Sequence, residues 1–216
     1  MTTGFFRILK TAAIWPFLAL AAVMLVLPAQ AQFGKGYNFL SAIKDRKHAE
    51  AQEMVNDGAT IVNTKDSSSG KAGLHYAIED RNLTGVRLLL QWDANPNQAD
   101  KKGVTPMALA IRLNFSDAVT WLIKKNADVN LANRSGETPL IIAVQLGRTE
   151  IVRMLVKAGA NPDLTDNLAG LSARDYATRD RRKQKILAII EGKEADDEKP
   201  KEQQGELIFT GIGDAT

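Results

Sequence analysis

The hydrophobic residues in the middle of the chain fall into short segments with helical spacing. Leu140, Ala143 and Val144 would lie on one face of a helix, and Ile151 and Leu155 on one face of the helix that follows. Polar residues separate the two segments. We therefore predict pairs of short antiparallel helices that each bury one face, and no sheet.

This pattern repeats with a step of 33 residues. The phrase TPMALA at 105–110 returns as TPLIIA at 138–143, and related phrases stand at 72–77, at 39–42 and, shifted by one residue, at 172–177. A second phrase closes each of the first four units, 17 residues after the last alanine of the first phrase. The closing residues are Ala59, Ala94, Ala127 and Ala160. A fixed step of this size predicts a stack of similar units, each built from one helix pair.

Capping residues mark the ends of these helices. Thr105 and Thr138 can cap the first helix of their units, with a proline in the first turn, where no hydrogen bond is lost. The second helices end at residue types that tolerate a left-handed backbone. These are Gly58, Asp93, Asn126 and Gly159. A glycine marks the turn before each later unit: Gly70, Gly103, Gly136 and Gly170.

The 33-residue step and the Thr-Pro-Leu phrase ending in alanine resemble the ankyrin repeat. The resemblance covers about residues 38–192 and implies an all-α solenoid of about five helix-pair repeats, within a domain at 32–192. The repeats would span about 38–66, 67–99, 100–132, 133–165 and 166–192. The first and last units carry more charge, as expected for polar capping repeats.

The resemblance also implies where a partner would bind. In ankyrin repeats, contacts come mostly from turn tips beside the conserved glycine and from two residues late in the first helix. The third and fourth units keep Thr-Pro and the regular step, so we expect the partner site there. Its residues would be Lys101, Lys102, Val104, Arg112, Leu113, Arg134, Glu137, Gln145 and Leu146. Leu113 and Leu146 could form an apolar centre of that site, or could pack against the loops.

Few residues in the chain are suited to catalysis. There is no cysteine, and His48 and His75 are the only histidines. In the ankyrin phrase a histidine at the position of His75 forms a hydrogen bond between repeats, so the resemblance implies a structural role for it. No nucleophile–histidine–acid motif, phosphate loop or metal-ligand spacing is present. We expect no enzymatic activity, no cofactor and no metal.

The charge of the chain is only mildly positive. The net charge is +3, and the basic run Arg179–Lys185 is its densest cluster of cations. This run could bind phosphate-bearing groups, although a solvated end of the stack is the interpretation we prefer. No aromatic residues are interleaved with it, so we predict no nucleic acid partner.

The first residues have the pattern of a secretory signal. Arg7 and Lys10 precede the apolar stretch Thr11–Leu27, and Ala29 and Ala31 offer a small-residue cleavage site. We predict a signal peptide at 1–31 that is removed after Ala31, which places the protein in the periplasm or outside a bacterial cell. The alternative is an uncleaved segment that anchors the protein in the inner membrane, where it would have a structural role.

The last residues differ in composition from the repeats. Residues 193–216 hold three lysines and seven acidic residues, a composition that buries too little apolar surface to fold. We predict a disordered acidic tail at 193–216. The whole sequence thus predicts an exported, monomeric adaptor that binds an unidentified protein partner through the concave face of its repeats.

Overall fold

The computed structural model describes residues 34–193, which form ten α-helices in five consecutive pairs. The first helices of the pairs are α1 (34–44), α3 (Gly73–Glu79), α5 (Pro106–Arg112), α7 (Pro139–Gln145) and α9 (Ala173–Arg179). The second helices are α2 (His48–Asn56), α4 (Leu83–Gln91), α6 (Ser116–Lys124), α8 (Thr149–Lys157) and α10 (Gln184–Ile190). The predicted signal peptide at 1–31 and the predicted tail beyond Lys193 lie outside the described residues.

The helices stack in two layers. The first helices α3, α5, α7 and α9 pack side by side, and the second helices α4, α6, α8 and α10 form the layer behind them. Within 34–193 there is no strand, only isolated bridges between Lys65 and Ala72 and between Thr165 and Ser172. The predicted all-α stack of helix pairs is therefore confirmed. No helix in this part of the chain is long and apolar enough to cross a membrane.

The apolar faces predicted from the sequence meet between the layers. Leu140, Ala143 and Val144 of α7 are fully buried, as are Ile151 and Leu155 of α8. Each first helix from α3 onward also buries an alanine at the end of its phrase, and a methyl group at that position lets neighbouring helices approach closely. These residues are Ala77, Ala110, Ala143 and Ala177.

Most of the predicted helix ends are confirmed. The side chains of Thr105 and Thr138 accept hydrogen bonds from the backbone N–H of the third residue of their helices, at 3.2 Å in both cases. Asp93, Asn126 and Gly159 have left-handed backbones, with φ of 60°, 57° and 86°. The prediction for Gly58 is wrong: its φ of 172° is extended, because the chain there enters a short 3₁₀ helix, Ala59–Asn63, instead of a left-handed turn.

Asparagine side chains in the loops hold neighbouring units in register. The side-chain oxygens of Asn63, Asn97 and Asn130 each accept a backbone N–H from the next loop along the stack, at 2.7–2.8 Å. The donors are Asn95, Asp128 and Asn161. Because these bonds recur at the first three steps of the stack, the turn tips beyond them are aligned along one edge.

Candidate functional site

The turn tips and first helices of the second, third and fourth pairs enclose a surface cleft of about 370 Å³, called the tip cleft below. Its lining residues are Lys71, His75, Glu79, Asp100, Lys102, Val104, Leu109, Arg112, Asn133, Arg134, Ser135 and Glu137. Five of the nine residues expected in a partner site are among them. These five are Lys102, Val104, Arg112, Arg134 and Glu137.

An acidic or amide side chain shapes each tip that borders the tip cleft. One carboxylate oxygen of Asp100 accepts the backbone N–H groups of Lys102 and Val104, both at 2.8 Å. In the next unit, the Oδ1 atom of Asn133 accepts those of Ser135 and Glu137, at 2.9 and 3.0 Å. These bonds fix the tip backbones, so the tip side chains start from a defined place.

A further set of tip residues was not predicted from the sequence. They are Asp66, Asp100, Asn133 and Asp166, and each accepts backbone N–H groups of its own tip. An Asp or Asn three or four residues before each tip glycine was the available signal. The tips of the second and fifth pairs contain one residue more than the other two, which accounts for the one-residue shift of the fifth phrase.

The carboxylates of the tip cleft are already bonded to other residues of the cleft. Glu79 accepts a hydrogen bond from Lys71 at 2.6 Å, and this contact raises the pKa of Lys71. Glu137 accepts one from the amide of Asn133 at 2.7 Å and lies 3.6 Å from Arg112. Asp100 accepts the backbone hydrogen bonds of its own tip. All three acidic side chains therefore accept hydrogen bonds from within the cleft.

The cations of the tip cleft are much less engaged. Among the described residues, Lys102 and Arg134 have exposed side chains that make no hydrogen bond or ion pair. Arg112 has a side chain that is 49% exposed, and its contact with Glu137 is long for a hydrogen bond. Within the described residues, the cleft therefore offers free N–H donors, whereas each of its carboxylates already accepts at least one hydrogen bond.

A buried histidine and two apolar side chains lie beneath these charges. Nε2 of His75 lies 2.9 Å from the carbonyl oxygen of Val104, and Nδ1 accepts the N–H of Ala72 at 3.2 Å. Burial lowers the pKa of His75, so the ring is neutral and donates from Nε2. The bond between repeats implied for this histidine is confirmed. Val104 and Leu109 are half-buried and add an apolar floor to the site.

The other four predicted site residues lie outside the tip cleft. Lys101 turns its amine to the carbonyl oxygen of Ser67, at 2.6 Å. Gln145 is half-buried. The two leucines differ from each other: Leu113 packs against the core, whereas Leu146 is 45% exposed. Leu113 thus packs inside the protein, whereas Leu146 remains accessible to a partner.

The basic run at the end of the stack is partly neutralised. Both carboxylate oxygens of Asp180 bind the guanidinium of Arg182 at 3.1 Å, and Lys183 lies 3.6 Å from the same carboxylate. The pKa of Asp180 is lowered, chiefly by the bond from Arg182. Arg181 and Lys185 remain exposed. In residues 34–193, no three acidic or histidine side chains are grouped so that they could bind a metal.

Comparison with protein families agrees with this geometry. A family model described as ankyrin repeats (3 copies) matches residues 74–166, which run from α3 to the tip of the fifth pair. This range contains most of the lining of the tip cleft, and the five helix pairs are consistent with a helical solenoid. Repeats of this family are generally non-enzymatic. Residues 74–166 are therefore similar to a run of three ankyrin repeats, a kind of repeat that indicates a protein–protein interaction module.

Proposed function

We propose that this chain is a non-enzymatic adaptor of the bacterial cell envelope that binds a partner protein at the tip cleft. One observation carries the proposal: the side chains of Lys102 and Arg134, unpaired within residues 34–193, project from tips whose backbones are held by internal hydrogen bonds. A surface ordered before binding loses less entropy when a partner docks.

The envelope location rests on residues 1–31. Their basic start, apolar stretch and small-residue cleavage site are typical of an exported precursor. The alternative is that the same stretch stays attached as an anchor and that the repeats serve a structural role at the membrane. Sequencing the N-terminus of the purified protein separates the two: a start at Gln32 supports export with cleavage, and a start at Met1 or Thr2 supports the anchor.

Site-specific photocrosslinking tests the binding surface. A photoreactive residue replaces Lys102 in one variant and Lys157 in another, and crosslinking is performed in cells of the native host. Both lysines are exposed, but Lys157 lies at the end of α8 in the second helical layer. We expect one discrete adduct from position 102 and none from position 157. Adducts of equal yield from both positions would contradict a partner site at the tip cleft.

A further inference from the structure

The tip cleft has an asymmetry of charge that bears on the kind of partner. Its acidic side chains, Glu79, Asp100 and Glu137, accept hydrogen bonds from the cleft itself. Two of its cations, Lys102 and Arg134, have no partner among residues 34–193. A ligand that supplies acceptors would satisfy these donors, whereas the three acidic side chains already accept hydrogen bonds within the cleft and need a ligand donor less.

We propose that the tip cleft binds an extended, acidic segment of the partner protein, an inference that rests on the function proposed above. The segment would lie across the tips of the third and fourth pairs, with its carboxylates at Lys102 and Arg134. Arg112, deeper in the cleft, would receive a further carboxylate, because its present contact with Glu137 is 3.6 Å long and half-exposed.

The packing of the tips places the stem of Arg134 beside the turn that carries Lys102. Gly103 follows Lys102 directly, and its backbone lies against the stem of Arg134: a Cβ atom added to Gly103 would stand 2.7 Å from Cγ of Arg134. The arginine stem is therefore laid over the turn that carries Lys102. Two cations that line one cleft from neighbouring units suit successive carboxylates of one extended chain better than a single isolated anion.

The surroundings favour a peptide over other anionic polymers. Among the described residues, the only aromatic ring that lines the tip cleft is the buried imidazole of His75, so there is no exposed platform on which the bases of a single-stranded nucleic acid could stack. The half-buried floor of Val104 and Leu109 can contact the aliphatic parts of a peptide. A basic segment would be repelled by Lys102 and Arg134, and such like-charge contacts suppress wrong partners.

Fluorescence anisotropy with labelled synthetic peptides tests the proposal on the purified full chain. The probe is a short peptide of alternating Glu and Ser, and peptides of Lys with Ser and of Gln with Ser serve as references, all at physiological ionic strength. We expect the Glu peptide alone to bind. The double variant Lys102→Ser/Arg134→Ser should weaken its binding by about tenfold, because two charge contacts at an interface rim are lost.

A matched variant removes the same charge elsewhere. Arg181→Ser/Lys185→Ser takes away two exposed cations of the last unit and should change the affinity by less than about twofold. Equal losses in both double variants would mean that the peptide senses only net charge and would overturn the proposal. Binding of the Lys peptide, or no binding of the Glu peptide, would overturn it as well. Thermal unfolding checks that each variant is folded. The single variants Lys102→Ser and Arg134→Ser are measured as well, in case the double variant does not fold.

Two other occupants of the tip cleft would each give a distinct result. If the Glu peptide binds only after residues 194–216 are deleted, the acidic tail of the chain itself occupies the cleft, and the assignment to a partner is overturned. If the chain self-associates and Lys102→Ser/Arg134→Ser abolishes this, the occupant is a second copy. The adduct from position 102 is measured separately, so the adaptor function can stand when the acidic-segment assignment falls.

Discussion

The imidazole of His75 lies 2.9 Å from the carbonyl oxygen of Val104 and so joins two successive helix pairs at the base of the tip cleft. The other ring nitrogen accepts the N–H of Ala72, which starts the helix that carries the histidine. One buried side chain thus ties the first turn of α3 to the tip segment of the next unit. Both bonds are made by the neutral ring, so this connection depends on pH.

We expect His75 to make the stability of the protein fall in mild acid. Burial lowers the pKa of His75 in the folded protein below its ordinary value of 6.5, so protonation favours the unfolded chain. The stabilisation is therefore complete above pH 6.5 and is lost as the pH falls through the pKa of the folded state. Urea unfolding of the wild type and of His75→Gln, near pH 7.5 and again near pH 5, measures this. The variant should be less stable at the higher pH and should lose less on acidification; parallel losses would assign the pH dependence to other groups.

Replacing Leu140 with alanine should destabilise the stack strongly. Leu140 is fully buried between units, and a buried large-to-small change costs roughly 2–5 kcal/mol. Contacts in a stack run mainly between neighbours, so amide hydrogen exchange should quicken first in the third to fifth pairs. Leu168→Ala is the control: Leu168 is 83% exposed, and its loss should change the free energy of unfolding by less than about 0.5 kcal/mol. Equal loss of protection in the first pair would contradict this local response.

Two glycines with similar backbones should respond differently to alanine. Gly136 and Gly159 both have positive φ, 77° and 86°, so alanine strains either one by about 1–2 kcal/mol. At Gly136 the added Cβ would also stand 2.7 Å from the backbone nitrogen of Asn167 in the next tip, whereas at Gly159 nothing lies within 4 Å. Gly136→Ala should therefore lower the unfolding midpoint in urea more than Gly159→Ala does. Equal shifts would mean that the tips move apart to admit the methyl group at Gly136 without loss of stability.

Replacing Leu113 should affect mainly the stability of the protein, whereas replacing Leu146 should affect mainly partner binding. Leu113 packs against the core, so Leu113→Ser should cost about 1–3 kcal/mol of folding free energy. Leu146 is 45% exposed, and Leu146→Ser should leave unfolding almost unchanged. If Leu146 is an anchor of the partner interface, its loss weakens partner binding by about 1–3 kcal/mol. Thermal unfolding and the yield of the adduct from position 102 measure the two effects on the same samples. An intact adduct yield in Leu146→Ser would remove this residue from the interface.

The helix starts and the buried helix faces could be predicted because they depend on local patterns. The start of α7 at Thr138 and the following proline could be predicted because capping involves residues only a few positions apart. The buried face of that helix follows from the spacing of its apolar residues. Gly58 shows the limit of such reasoning. Glycine permits a left-handed helix end without requiring one, and the 3₁₀ helix that follows leaves Gly58 extended.

The repeating helix pairs, most of their caps and the edge of the stack on which the tips lie follow from the amino-acid pattern, because each of these depends on residues close together in the chain. Which charges remain available at that edge depends instead on how the side chains of neighbouring units pack. Whether Glu137 is engaged depends on where Asn133 and Arg112 place their side chains, and Arg134 neighbours Lys102 because its stem packs over Gly103 in the preceding unit. Contacts between units fix these arrangements, and a repeat pattern read along one chain does not contain them.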